Sequence, residues 1–170
     1  AAPKRLICAI NLSGQSLSDD RFLSYLIGEI KKLDLESVNL CFEITETAAI
    51  TNLSVAMDFI HGVKDLGCAL ALDDFGSGTN PFQLLEHINA DYIRLDKSLM
   101  DDLADNPQNQ EAIKKIAEQA SERGKFTITQ FVKDANSLSL LWGMGVNFIQ
   151  GYFLQEPQPD MNYDFTGIAG

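Results

Sequence analysis

No apolar run in this sequence approaches the roughly 20 residues that cross a bilayer; the longest are of strand length. The chain does not open with the basic, apolar and small-residue succession of a secretory signal, and Ala1-Ala2-Pro3 reads as an interior cut. Basic charge is scarce: 13 Lys and Arg stand against 24 Asp and Glu, a net charge of −11. That excludes broad contact with DNA, which needs a basic surface to release counterions, and leaves room for a small anion in a local pocket. The three cysteines, Cys8, Cys41 and Cys68, lie inside apolar runs at no zinc-binding spacing. They are expected as reduced, buried thiols of a cytoplasmic protein. Neither His61 nor His87 has a partner at metal-ligand spacing, and both are expected as surface or packing residues. Asp101, Asp102 and Asp105 read as a solvated acidic loop. No glycine-rich phosphate turn follows the first apolar run, which removes the strongest sign of a nucleotide-binding open sheet.

What the sequence has instead is alternation. Continuous apolar runs at Leu6–Leu12, Val38–Thr45, Cys68–Asp73, Tyr92–Asp96, Phe126–Phe131 and Phe148–Leu154 read as strands covered on both faces. Between them runs a helical period: Phe22, Leu26 and Ile30 in a helix from about Arg21 to Lys32, then Ala56, Phe59, Ile60 and Val63 after a capping Asn52. Ile113, Ile116, Ala117 and Ala120 form a third stripe; Leu138, Leu141 and Trp142 form a fourth, stopped by Gly145. Six strand–helix units in this order mean a parallel α/β sheet with right-handed crossovers. Residues 1–170 are expected to form one domain, with a loosely packed tail after Pro157.

Polar residues mark the ends of these runs: Asn11, Glu43, Asp73 and Asp74, Arg94, Gln130 and Gln150. A charge inside an apolar strand is costly unless paired or solvated. One such group per strand, always near the same end, favours a shared site at the mouth of a (β/α) barrel over six independent strand ends. The expected fold is therefore a (β/α)8-type, TIM-like barrel whose N-terminal strands lie outside this chain, since closure takes about eight strands and six are legible. The two sheet edges need cover from upstream residues or a neighbouring copy. Asn11, Glu43 and Asp73 together would suit Mg²⁺ or Mn²⁺, and a pair of such ions with a general base would hydrolyse a phosphodiester.

Five segments carry a resemblance: Asn11-Leu12-Ser13, Phe42-Glu43-Ile44-Thr45-Glu46-Thr47, Leu72-Asp73-Asp74-Phe75-Gly76-Ser77-Gly78, Asp91-Tyr92-Ile93-Arg94-Leu95-Asp96 and Gln150-Gly151-Tyr152. In order and spacing the chain resembles the EAL domains of cyclic di-GMP phosphodiesterases from about Leu6 to Pro157. The resemblance implies metal ligands at Asn11, Glu43, Asp73 and Asp74, and a Lys that helps position or activate the water at the position of Arg94. It also implies two late Glu at Gln130 and Lys133, and gives Glu46 the role of orienting the loop after Asp74. Arg94, Gln130 and Lys133 depart from that pattern, as does Thr79-Asn80-Pro81 in the loop; the EAL tripeptide itself is not in the chain. Gln130 brings no negative charge to a metal, Lys133 puts a cation where an anion helped, and Arg94 cannot serve as a base. An arginine can still grip a phosphodiester.

These departures predict a receptor rather than an enzyme, most similar to the degenerate EAL domain of FimX-type regulators of type IV pili and twitching motility. That resemblance implies cyclic di-GMP as ligand with no cofactor or metal required, a PilZ-domain partner, and upstream diguanylate-cyclase-like (GGDEF) and sensor domains. It also implies a cytoplasmic site, at the cell pole. Arg94 is expected to hold phosphate. Gln130 and Gln150 would bond guanine edges or phosphate oxygens, Phe131 would stack a base, and Gly151 would allow close backbone approach, with Asn11, Ser13 and Asp73 completing the wall. The alternatives are a slow Mg²⁺- or Mn²⁺-dependent phosphodiesterase, and an interaction module without nucleotide.

Overall fold

The computed structural model describes residues 6–33, 38–76 and 81–160. Ser77, Gly78, Thr79 and Asn80 of the expected loop, and the tail from 161 onward, lie outside the described residues. Six parallel strands form one sheet: β1 (Leu6–Asn11), β2 (Val38–Thr45), β3 (Ala69–Phe75), β4 (Tyr92–Leu95), β5 (Phe126–Thr129) and β6 (Phe148–Ile149). Their spatial order is their chain order. A doubly wound sheet would reverse direction at a switch point. An unbroken succession of right-handed crossovers instead curls the sheet, with its helices on the outside. The curl is direct to see: Ile7 and Ala9 of β1 line the same cavity as Ile128 of β5 and Phe148 and Ile149 of β6. The architecture is a partial TIM-like barrel, with β1 and β6 at its edges.

The helices are α1 (Gly14–Leu17), α2 (Asp20–Ile30), α3 (Glu46–Thr51), α4 (Leu53–Lys64), α5 (Pro81–Leu84), α6 (Pro107–Glu122) and α7 (Ala135–Gly143). Side chains satisfy the first free N–H groups at several starts. Asp19 accepts from Arg21 and Phe22, Asn106 accepts from Asn109 just before Pro107, and Asp134 accepts from Ser137. Asn52 departs from expectation: it precedes α4 but makes no side-chain cap, because α3 and α4 abut there and Asn52 also ends α3. Gly145 follows α7 at φ 85°, the left-handed turn that a helix stop uses.

Strand periodicity sorts the two faces. Phe42, Ile44, Leu70, Leu72, Ile93 and Leu95 are buried beneath the helices in one core with Phe59, Ile60 and Val63 of α4 and Ile113 of α6. Phe42 meets Phe59 edge to face at 6.1 Å. Each such side chain contributes about 1.5–3 kcal/mol through burial. The alternate positions, Cys41, Glu43, Arg94 and Ile128, face the lumen. Asp91 ties the far end together, accepting from Lys64 Nζ at 2.7 Å and from the Leu70 backbone N–H at 2.8 Å.

Further expectations need correction. β5 ends at Thr129, not Phe131, because Phe131 takes φ 60° and leaves the ladder. β6 has two residues rather than seven; after Ile149 the chain turns back over Val132. Trp142, expected on the inner stripe of α7, is 61% exposed, and Leu141 is the residue that the helix buries. Cys8 is half-buried, whereas Cys41 and Cys68 are buried, and all three are free thiols.

Candidate ligand site at the barrel mouth

Three adjacent strands and the end of β5 bring four of the expected residues together. Glu43 and Arg94 point into the lumen from β2 and β4; Asp73 approaches the same guanidinium from β3. Arg94 Nη2 donates to Glu43 Oε1 in a buried ion pair. Arg94 Nη1 lies 3.6 Å from Asp73 Oδ2, and Gln130 Nε2 donates to Asp73 Oδ1 at 3.2 Å. The side chains of Arg94 and Glu43 are 9% and 2% exposed. Two atoms here have no bonding partner: Glu43 Oε2 and Arg94 Nε.

Burial dominates the electrostatics. It pushes the Asp73 carboxyl above its usual range; the Asp74 backbone N–H opposes this, while the charges of Asp74 and Asp96 add to it. Burial also draws the Arg94 guanidinium below its ordinary value, which leaves it protonated at any working pH. Cys41, beside them in the lumen, is pushed up to about 11 by burial first and the charge of Asp91 second. Glu46 starts α3 and is nearly buried; burial raises its carboxyl, and a bond from the Gly76 backbone partly offsets this. That bond links Glu46 to the turn after Asp74.

Above this wall the mouth is open and apolar. A cavity of about 360 Å³ is lined by Gln130, Phe131, Lys133, Gln150, Tyr152 and Pro157, among others. Phe131 is 53% exposed and Tyr152 71% exposed. Gly151 is required by its neighbours: a Cβ there would lie 2.4 Å from the Val132 carbonyl oxygen. The close backbone approach at Gly151 is thus made by Val132. Asn11 ends β1 in register with Glu43 and is exposed. Ser13 caps α1 through its hydroxyl, which accepts from the Ser16 N–H. The sequence reading missed Tyr152, Gln155 and Pro157 as cavity walls, and Cys41 and Tyr92 as lumen residues. For Tyr152 the Gln-Gly-Tyr segment was the available signal; for Cys41 and Tyr92 it was the two-residue period shared with Glu43 and Arg94. Asp96 caps the turn Lys97–Met100, accepting from the Ser98 N–H. His61 and His87 are exposed, the surface alternative of the two expected for them.

Residues 1–157 match the EAL domain family. The chain belongs to that family. Cyclic di-GMP phosphodiesterase PdeB of Shewanella oneidensis is 35% identical over 155 residues, which cover 91% of this chain and 18% of PdeB. The FimX EAL domain from Pseudomonas aeruginosa, solved bound to c-di-GMP, superposes with a TM-score of 0.86 at 37% identity, over 93% of this chain and 65% of that one. The Xanthomonas citri FimX EAL domain in complex with c-diGMP gives 0.82 at 31% identity, over 95% and 63%. The chain thus spans just under two thirds of the FimX EAL domain structures and less than a fifth of PdeB. No helix among the described residues is long and apolar enough to cross a membrane.

The metal ligands implied for an EAL enzyme can be tested against this donor set. Glu43 Oε1 is taken by Arg94, and Asp73 is shared between Gln130 and Arg94. Among the described residues no three His, Cys, Asp or Glu side chains gather as a metal site. With a permanent cation already against Glu43 and Asp73, these two carboxylates as they stand do not fit a divalent ion.

Proposed function

We propose that this EAL domain is a receptor for cyclic di-GMP that binds the nucleotide without metal and does not hydrolyse it. The observation that carries the reading is the Arg94–Glu43 ion pair with Asp73 beside it: the strand that should present a water-activating lysine presents a guanidinium tied to the would-be metal ligands. Such a site lacks a base and a free hard-oxygen cluster, the two requirements of metal-assisted phosphodiester hydrolysis. It retains an arginine whose Nε has no partner in the wall, a donor for a phosphodiester oxygen, and an aromatic rim for guanine. Phe131 would offer one base a face, Gln130 and Gln150 would bond base edges or phosphate oxygens, and Asn11, Ser13, Asp73 and Gly151 would complete the wall. Similarity to two FimX EAL domains solved with c-di-GMP supports this assignment. Signalling to a PilZ-domain partner in type IV pilus control, at the cell pole, from a longer protein with upstream GGDEF-like and sensor domains, is the physiological extension of the same proposal.

The kinship with PdeB favours a second reading, a slow metal-dependent phosphodiesterase. Two variants separate them. Arg94→Ala abolishes nucleotide binding in the receptor. Gln130→Glu with Lys133→Glu raises hydrolysis in a slow enzyme and leaves a receptor inactive. Hydrolysis by the unaltered protein that the double substitution accelerates would overturn the receptor reading.

A further inference from the structure

We infer that Arg94 is a built-in cation, neutralising Glu43 and Asp73 in place of a divalent metal and thereby closing the mouth to metal. The inference deepens the proposed function and rests on its metal-free site, but it is tested with metal alone.

Arg94 lies between Ile93 and Leu95, both buried, on a central strand. A guanidinium is tolerated in such a place only with a partner, and Glu43, itself 2% exposed, is that partner. Glu43 and Asp73 bring two negative charges and Arg94 brings one positive charge, so the buried group holds one uncompensated charge. That remaining charge falls on Asp73, whose Oδ2 lies 3.6 Å from Arg94 Nη1 and whose Oδ1 accepts from the Asp74 backbone N–H and the Gln130 amide. The other nearby lysines serve elsewhere: Lys64 pairs with Asp91 at the opposite strand ends, and Lys133 is exposed. Glu43 Oε2 is left as a buried acceptor without a donor.

Without the guanidinium, two carboxylates on neighbouring strands would face one lumen with no cation between them. Asn11, in register with Glu43, is placed to add an amide oxygen. Two carboxylates and an amide are hard ligands for Mn²⁺ or Mg²⁺. Arg94 occupies the place between these ligands, adding to the anionic groups missing at Gln130 and Lys133, and the pocket holds a fixed charge where a metal would otherwise sit.

The test is Mn²⁺ titration, read by the electron-spin resonance of free Mn²⁺, on the full-length protein, its Arg94→Met variant, and Arg94→Met combined with Glu43→Gln. The unaltered protein should show no saturable site in this domain at millimolar Mn²⁺. Arg94→Met should gain a saturable Mn²⁺ site, and the added Glu43→Gln should abolish it. Equal Mn²⁺ affinity in the unaltered and Arg94→Met proteins, with the fold checked by circular dichroism, would overturn the inference. Should Arg94→Met not fold, the melting temperature of the unaltered protein decides: unchanged by millimolar Mn²⁺ if Arg94 holds the site, raised if metal binds the native state. Cyclic di-GMP titrated into the same samples keeps a failure of the receptor reading separate from a failure of this one.

Discussion

The wall formed by β2, β3 and β4 and the rim formed by the ends of β5 and β6 are built on opposite principles. In the wall, buried apolar residues alternate with buried, paired charges: Phe42 beside Glu43, Ile93 beside Arg94. At the rim the ladder stops early, Phe131 leaves it in a left-handed conformation, and Phe131, Tyr152 and Phe153 stand exposed. The wall fixes a charge; the rim offers a surface. A ligand carrying both phosphates and planar bases needs one of each, and the division predicts that damage to the wall is felt in stability as well as binding, while damage to the exposed aromatics of the rim is felt in binding alone.

The sharpest way to break that comparison is Glu43→Ala, which strands the Arg94 guanidinium in the lumen. It should cost about 3–5 kcal/mol of folding stability, measured by denaturant unfolding; a loss no larger than that of a surface substitution would mean that the wall is not held by this pair. Gly151→Ala is expected to cost about 1–3 kcal/mol, because the new Cβ meets the Val132 backbone where the chain folds over the end of β5. Phe131→Ala should leave the unfolding midpoint nearly unchanged and weaken cyclic di-GMP binding by about 1–3 kcal/mol, the worth of one stacked base, read by calorimetry. If it lowers stability instead, Phe131 belongs to the core rather than the rim.

Two smaller effects sharpen the picture through titration. The Cys41 thiol, pushed up to about 11, should resist alkylation at pH 8 in the folded protein and react on unfolding, as followed by mass spectrometry. Glu46 has a carboxyl raised in the folded state, so the unfolded chain loses its proton first as pH rises. Stability should therefore fall as pH climbs from the ordinary glutamate value through the raised one, and Glu46→Gln should flatten that descent in melting curves recorded across the window.

Much of the wall was legible in the sequence, for a local reason. Continuous apolar runs broken by a single charge can be read without knowing their neighbours, and Glu43, Asp73, Arg94 and Gln130 were found that way. Which of them bond was not legible, because a guanidinium on β4 reaches β2 through strand register and barrel curvature, neither of which a linear pattern encodes. The rim was harder still. A run such as Phe148–Leu154 looks like a strand, yet the close fit of Gly151 against Val132 turns it after two residues. Trp142 has the spacing of a core residue but faces outward, since Leu141 already fills the place beneath α7. Asn52 has the chemistry of a cap but sits at a junction where one helix ends and the next begins.

The central claim is nucleotide binding without metal or turnover. It is met most directly by titrating cyclic di-GMP calorimetrically into the full-length protein, once in EDTA and once with Mg²⁺ or Mn²⁺, and then recovering the nucleotide by chromatography. The account predicts equal binding in both conditions and an intact cyclic dinucleotide. Binding that requires metal, or the appearance of linear pGpG, would contradict it.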